Sequence, residues 1–164
     1  MTDLILWRHG QTDYNLQGRI QGQVDIPLND TGRQQAQRVG KTLRDRGIQH
    51  VLCSSAQRTR QTLESLQLEA PVDYQDVLYN ASAHTIAQQI SGVDEEVETL
   101  LVVAHAPGIP ALATQLSHDA DPRQADRIGY WFPAGAFVEL WIDTDWVYVE
   151  QASARLADVQ RFSD

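Results

Sequence analysis

Cysteine is nearly missing from this 164-residue sequence: Cys53 stands alone. One thiol cannot build an internal disulfide framework, which fits a reducing compartment. Long hydrophobic runs are missing too. No apolar stretch approaches the roughly 20 residues of a membrane span. The opening "MTDLILW" lacks a basic n-region and is too short for a signal peptide. The expected location is therefore cytoplasmic, with no membrane partner. Positive charge is scarce, with 13 Lys and Arg against 22 Asp and Glu and a formal net charge of -9. Such a molecule repels polyanions, so nucleic acid is not an expected partner; its binders need basic patches to displace counterions. A small anion held by a few concentrated cations remains possible, and its arginines should be findable. Repeats, low-complexity runs and linkers are also absent. Length and a 42% hydrophobic content suit one globular domain, residues 1–164, with a real core.

What the sequence does contain is an alternation of strand-like and helix-like segments. Residues 4–7 read as a first strand, and residues 11–29 as a long polar loop punctuated by Gly18, Gly22 and Pro27. "NDTGRQQAQRVGKTLRDRG" reads as a helix capped by Asp30 or Thr31 and stopped by Gly47. "IQHVLC" is a second strand, "AQRTRQTLESLQL" a helix, "VDYQDVLY" a weaker strand and "SAHTIAQQISG" a third helix. "TLLVVA" is the clearest buried strand, and "IPALATQLS" should be helical. "GAFVELWI" and "WVYVEQA" suggest a hairpin around Asp143, Thr144 and Asp145. The expected fold class is α/β, a three-layer sandwich with a mostly parallel central sheet and an antiparallel C-terminal hairpin edge.

In that architecture ligands collect outside the carboxyl ends of the strands. The first strand leads into Arg8, His9 and Gly10. The second leads into "SSAQRTRQT", with Ser54, Arg58 and Arg60. "TLLVVA" leads into His105, Ala106, Pro107 and Gly108. If these strands are parallel neighbours, two imidazoles and two or three guanidiniums meet at one rim. They repel one another when charged, and a dianion such as phosphate offsets that cost. A neutral imidazole nitrogen can attack phosphorus and carry the phosphoryl group. Arginine forks can hold the equatorial oxygens, and a second imidazole can donate a hydrogen bond. Gly10 lets the backbone turn sharply and its amides approach the anion. Side chains supply the cations, so no metal and no cofactor are expected.

"RHGQTDYN" with "GRIQGQVDIPLNDTGRQQA" resembles the opening of the histidine phosphatase superfamily, the phosphoglycerate-mutase-like proteins. "SSAQRTRQT" is similar to its second motif and "VVAHAPGI" to its third, in order across residues 4–117. The resemblance implies a phosphoglycerate-mutase-like fold. It implies His9 as the phosphate-accepting nucleophile and Arg8, Arg58 and His105 as the phosphate pocket. It also implies Asn15, Gln21, Gly22 and Ala106 at the substrate entrance. Mutase and esterase members carry a general-acid glutamate after the third strand, whereas "DVLYNAS" has none. Asn80 falls near that place, and Asp76 is the nearest carboxylate and the candidate acid. "LYNASAHTIAQQI" and "AHAPGI" resemble the short phosphohistidine phosphatases, while "GRIQGQVDIPL" resembles the phosphoesterase branch. Little sequence lies between Arg60 and His105 for the insertion with which mutases enclose a small sugar acid. An alkoxide leaving group needs a proton, and a ring nitrogen needs less help. The expectation is a metal-independent phosphatase acting on a small phosphorylated metabolite or a phosphohistidine protein. A mutase-type phosphotransferase and a regulatory protein that binds phosphate without turnover are the alternatives.

Other singular residues have structural readings. Ser54 can cap the following helix and orient the pocket, and Arg60 can face solvent. Cys53 and Arg58 enclose four residues and no glycine, unlike the five-residue loop of cysteine phosphatases, so Cys53 reads as a buried thiol. His50, His84 and His118 show no ligand spacing. The aromatic run "WFPAGAFVELWIDTDWVYV" reads as core by strand alternation, and Asp94, Glu95 and Glu96 as a solvated loop.

Overall fold

Leu4, Ile5, Leu6 and Trp7 are all fully buried, yet they serve two different cores. A computed structural model describes residues 1–21 and 24–162. The first strand, β1 (Thr2–Arg8), sends Leu4 and Leu6 to one side and Ile5 and Trp7 to the other, as a two-residue period requires. A strand covered on both faces needs apolar residues at every position. The chain continues through α1 (Asp13–Leu16), α2 (Asp30–Leu43), β2 (His50–Ser54), α3 (Gln57–Glu64) and β3 (Val72–Gln75). A 3₁₀ turn (Asp76–Leu78), α4 (Ala83–Ser91), β4 (Thr99–Ala104), α5 (Gly108–Ser117) and α6 (Pro122–Tyr130) follow. The last elements are β5 (Phe137–Ile142), a 3₁₀ segment (Trp146–Gln151) and β6 (Arg155–Gln160).

The six strands form one sheet in the order β3-β2-β4-β1-β5-β6. The first four are parallel, and β5 and β6 are antiparallel to their neighbours. Ala36, Val39 and Leu43 of α2 and Leu63 of α3 cover one face. Ile86 and Ile90 of α4, Leu112 and Leu116 of α5 and Ile128 of α6 cover the other. The result is the expected α/β three-layer arrangement. Register decides where the site lies. Arg8 pairs with Ala104, and Cys53 pairs with Val103, so Ser54 lies level with Ala104 and Arg8. Three strands therefore end at one rim. No helix among the described residues is long and apolar enough to cross a membrane.

The C-terminal hairpin differs from its expected form. β5 pairs with β6, not with residues 146–152. "WVYVEQ" is a 3₁₀ segment that buries Trp146 and Val149 and exposes Val147 and Tyr148. Burial three residues apart is the 3₁₀ period, which an all-apolar run cannot signal. Asp94, Glu95 and Glu96 do form an exposed loop before β4, and from it Glu95 accepts from the Trp146 and Val147 amides at 2.6 and 3.2 Å, capping this segment. α6 has no counterpart in the expected elements, although Asp121 before Pro122 is a helix-start signal; its side chain accepts from Gln124 N–H. The polar loop contains α1, closed by a capping box between Thr12 and Asn15. Asn29 caps α2, one residue before the expected Asp30, by accepting from the Gly32 amide at 2.8 Å.

Candidate active site

At the end of β1, Arg8 and His9 are pinned by main-chain hydrogen bonds on both sides. Arg8 N–H donates to the Ala136 carbonyl at 2.9 Å, His9 N–H donates to Ala104 at 3.2 Å, and Gly135 N–H donates to His9 at 2.7 Å. Arg8 Nη1 donates to the Phe132 carbonyl at 2.8 Å. Gly10 then passes under the first turn of α2. A Cβ on Gly10 would lie 2.6 Å from the Gly32 carbonyl oxygen, and one on Gly32 would lie 2.1 Å from that of Gln11. Only glycine fits either position. Gly10 N–H donates to Thr62 Oγ1 at 3.0 Å, and that hydroxyl donates to the Arg58 carbonyl at 2.7 Å. The loop is thus tied to α3, which carries Arg58.

His9 and His105 are buried, with ring centroids 5.4 Å apart. His9 Nδ1 lies 2.6 Å from the Gly10 carbonyl oxygen, and His105 Nε2 lies 2.8 Å from Ser54 Oγ. His105 Nδ1 is buried without a hydrogen-bond partner among the described residues. Tyr79 stacks on His105 at 5.5 Å with 29° between the rings, and the Arg58 guanidinium lies 5.3 Å from the same Tyr79 ring. Arg58 is 2% exposed and donates from Nη1 to the Val24 carbonyl at 3.0 Å. Burial, then Arg8, then His105 hold the His9 imidazole well below its usual range. Burial, then Arg58 and Arg8, push His105 down to about 3. Both rings are neutral at pH 7, which suits them to accept or donate beside a tetrahedral anion.

The remaining residues singled out in the sequence fall into two groups. Asn15 lines a cleft that opens beside Arg8, with its Oδ1 accepting from the Thr12 amide at 2.9 Å. Gln21 accepts from the Thr12 hydroxyl at 2.8 Å, and Ala106 is half-buried between β4 and α5. Gly22 lies outside the described residues. Asp76 is exposed on the opposite flank, accepts from Ser55 Oγ at 2.5 Å, and shares a shallow cleft with Asp25, Ser55 and Tyr79. Asn80 sits at φ 52, a left-handed turn position that asparagine tolerates. Ser54 orients His105, as its position predicted, and its Oγ also accepts from Ala56 N–H at 3.4 Å. Arg60 is exposed over the Tyr74 ring at 4.2 Å, and Cys53 is buried with its thiol pushed up to about 12. His84 is exposed and pairs with Glu150 at 2.6 Å. The aromatic run is only partly core: Trp146 and Phe137 are buried, while Trp131 is 46% exposed.

Sequence reasoning gave no site role to Tyr79, Thr62 or Gly32, and it read Trp131 as core. Tyr79 lies one residue before Asn80, at the place searched for an acid. Only its ring contacts reveal its position. Among the described residues, no group of three or more His, Cys, Asp or Glu gathers as a metal site.

Known proteins resemble this chain in sequence and in fold. A family profile described as the histidine phosphatase superfamily (branch 1) matches residues 4–89. The uncharacterized protein Rv1276c of Mycobacterium tuberculosis is 38% identical over 136 residues, covering 80% of this chain and 86% of its own. The uncharacterized phosphatase PhoE of Bacillus subtilis is 29% identical over 162 residues, covering 78% of this chain and 84% of its own. A solved structure described as a candidate phosphohistidine phosphatase SixA from Nakamurella multipartitia has a TM-score of 0.85 and 32% identity. It covers 98% of this chain and 95% of its own.

Proposed function

The chain belongs to the histidine phosphatase superfamily, and on that premise we propose that it is a phosphatase that carries the phosphoryl group on His9. The observation behind this reading is the contact between His9 Nδ1 and the Gly10 carbonyl at 2.6 Å. A carbonyl only accepts, so Nδ1 holds the proton of the neutral ring and Nε2 keeps a lone pair. Nε2 attacks phosphorus, the bond to the leaving group breaks, and its electron pair departs with that group. Arg8 and Arg58 hold the non-bridging oxygens, where charge is spread in the transition state. Ser54 Oγ–H donates to His105 Nε2, which leaves the His105 proton on Nδ1 to donate to a phosphoryl oxygen. Water then attacks the phosphohistidine, the P–N bond breaks, its electron pair returns to Nε2, and inorganic phosphate leaves.

The two carboxylates on the flank are already engaged, Asp76 with Ser55 and Asp25 with the Gln57 amide at 2.8 Å. Asp76 therefore makes a poor proton donor to an alkoxide. A leaving group that departs through nitrogen suits such a site, which favours phosphohistidine over alkyl phosphates. The 32% identical structure described as a candidate phosphohistidine phosphatase supports the same choice. Release of inorganic phosphate from a phosphohistidine peptide and from small alkyl phosphates tests both parts. The peptide should turn over faster, and His9→Ala should lose at least ~10³-fold in rate. Retained activity in His9→Ala would overturn the proposal. A preference for alkyl esters would overturn its leaving-group half, and an isomerised phosphate ester as product would make the enzyme a mutase.

A further inference from the structure

Beside Arg8 the rim opens into a cleft of about 460 Å³. A phosphoryl group does not need that space, which lies within the roughly 300–1,000 Å³ of small-molecule sites. Leu16, Tyr130, Trp131 and Pro133 form much of its wall, and Arg8 is the one charged residue among the described residues that line it. Leu16 is 69% exposed, Tyr130 93% and Trp131 46%. Clustered apolar exposure at the mouth of a site marks a binding surface. The wall is held in place relative to the rim. Arg8 Nη1 donates to the Phe132 carbonyl at 2.8 Å, and Arg161 Nε donates to the Trp131 carbonyl at 3.1 Å. The opposite flank carries Asp25 and Asp76 instead.

We infer that this cleft holds the substrate's leaving group, and that the group presents an aromatic or apolar face to Tyr130 and Trp131. The inference rests on the phosphoryl chemistry proposed above and names its substrate class. A phosphoryl group on Arg8 has its leaving group directed along this wall or toward the acidic flank. A neutral planar or apolar body gains stacking and burial only on the wall. A polyol phosphate gains neither.

Non-hydrolysable phosphonates separate this inference from the chemistry beneath it. Calorimetry on the full chain should show benzylphosphonate binding about tenfold tighter than methylphosphonate or better. That ratio should fall toward one in Tyr130→Ser and in Trp131→Ala, and survive in Trp131→Phe. Tyr130 is almost wholly exposed, so its replacement tests the wall without disturbing the core. If neither methylphosphonate nor inorganic phosphate binds, the phosphoryl reading itself fails. If methylphosphonate binds and the benzyl group adds nothing, the wall does not hold the leaving group and only this inference fails. A concentration-dependent dimer abolished by Tyr130→Ser, with no benzyl preference, would assign the aromatic face to a second copy and overturn it too.

Discussion

Tyr79 serves two of the rim's cationic and imidazole groups with one ring, stacking on His105 and lying within cation–π distance of Arg58. Its hydroxyl lies 3.5 Å from Asp25 and hydrogen-bonds to Arg58, while the ring face serves both Arg58 and His105. Tyr79→Phe should change kcat/KM by less than about threefold, whereas Tyr79→Leu should lower it about tenfold, a loss between that of an exposed and that of a desolvated cation–π contact. A loss confined to KM would mark Arg58 as the group displaced, and one confined to kcat would mark His105. The two imidazoles also set a pH dependence. Both are depressed below 6.5 in the folded protein, His105 to about 3. Below pH 6.5 the unfolded chain therefore binds protons that the folded chain refuses. Stability is retained above pH 6.5 and falls as pH drops through the window from 6.5 toward 3, by up to about 1.4 kcal/mol per pH unit for each ring. Urea titrations between pH 7 and 5 should show this slope, and His105→Gln should flatten it.

Among the elements, α2 meets the loop after β1 through two glycines, and no adjustment of a flexible side chain can relieve a clash there. Gly32→Ala would drive a Cβ to 2.1 Å from the Gln11 carbonyl oxygen. It should cost about 1–3 kcal/mol, as overpacking of a rigid contact does, and reduce phosphate release by shifting Gly10 and His9. Gly92→Ala, whose nearest added contact is 3.7 Å, serves as the control in the same urea melts. Strands buried on both faces were legible from sequence, and β4 spans the residues of "TLLVVA". The hairpin partner was not legible. "WVYV" offers apolar side chains at every position, so its period is hidden until Glu95 and Val97 hold Trp146 against the far end of the sheet. β6 carries no comparable apolar run, because it is a half-buried edge strand.

At the scale of the whole molecule, a chain of net charge -9 concentrates Arg8 and Arg58 with two neutral imidazoles at one sheet rim. An oxyanion that binds only the folded state stabilises it by mass action, about 2.7 kcal/mol at a hundred times Kd. Tungstate or phosphate should therefore raise Tm, chloride at equal ionic strength should not, and Arg58→Ala should abolish the effect; an unchanged Tm in the native protein would show that no anion binds there. The sequence by itself determined which residue types stand at the strand ends, since strand, turn and cap preferences act over a few neighbouring residues. Arg8, His9, Ser54, Arg58 and His105 could be named on that basis. Only the tertiary structure decided that β1, β4 and β2 are adjacent and in register, that Gly32 seats against Gln11, that Tyr79 spans Arg58 and His105, and that Tyr130 and Trp131 wall the cleft. Those arrangements depend on contacts between residues far apart in the chain, which are chosen by packing across the whole sheet and leave no local pattern.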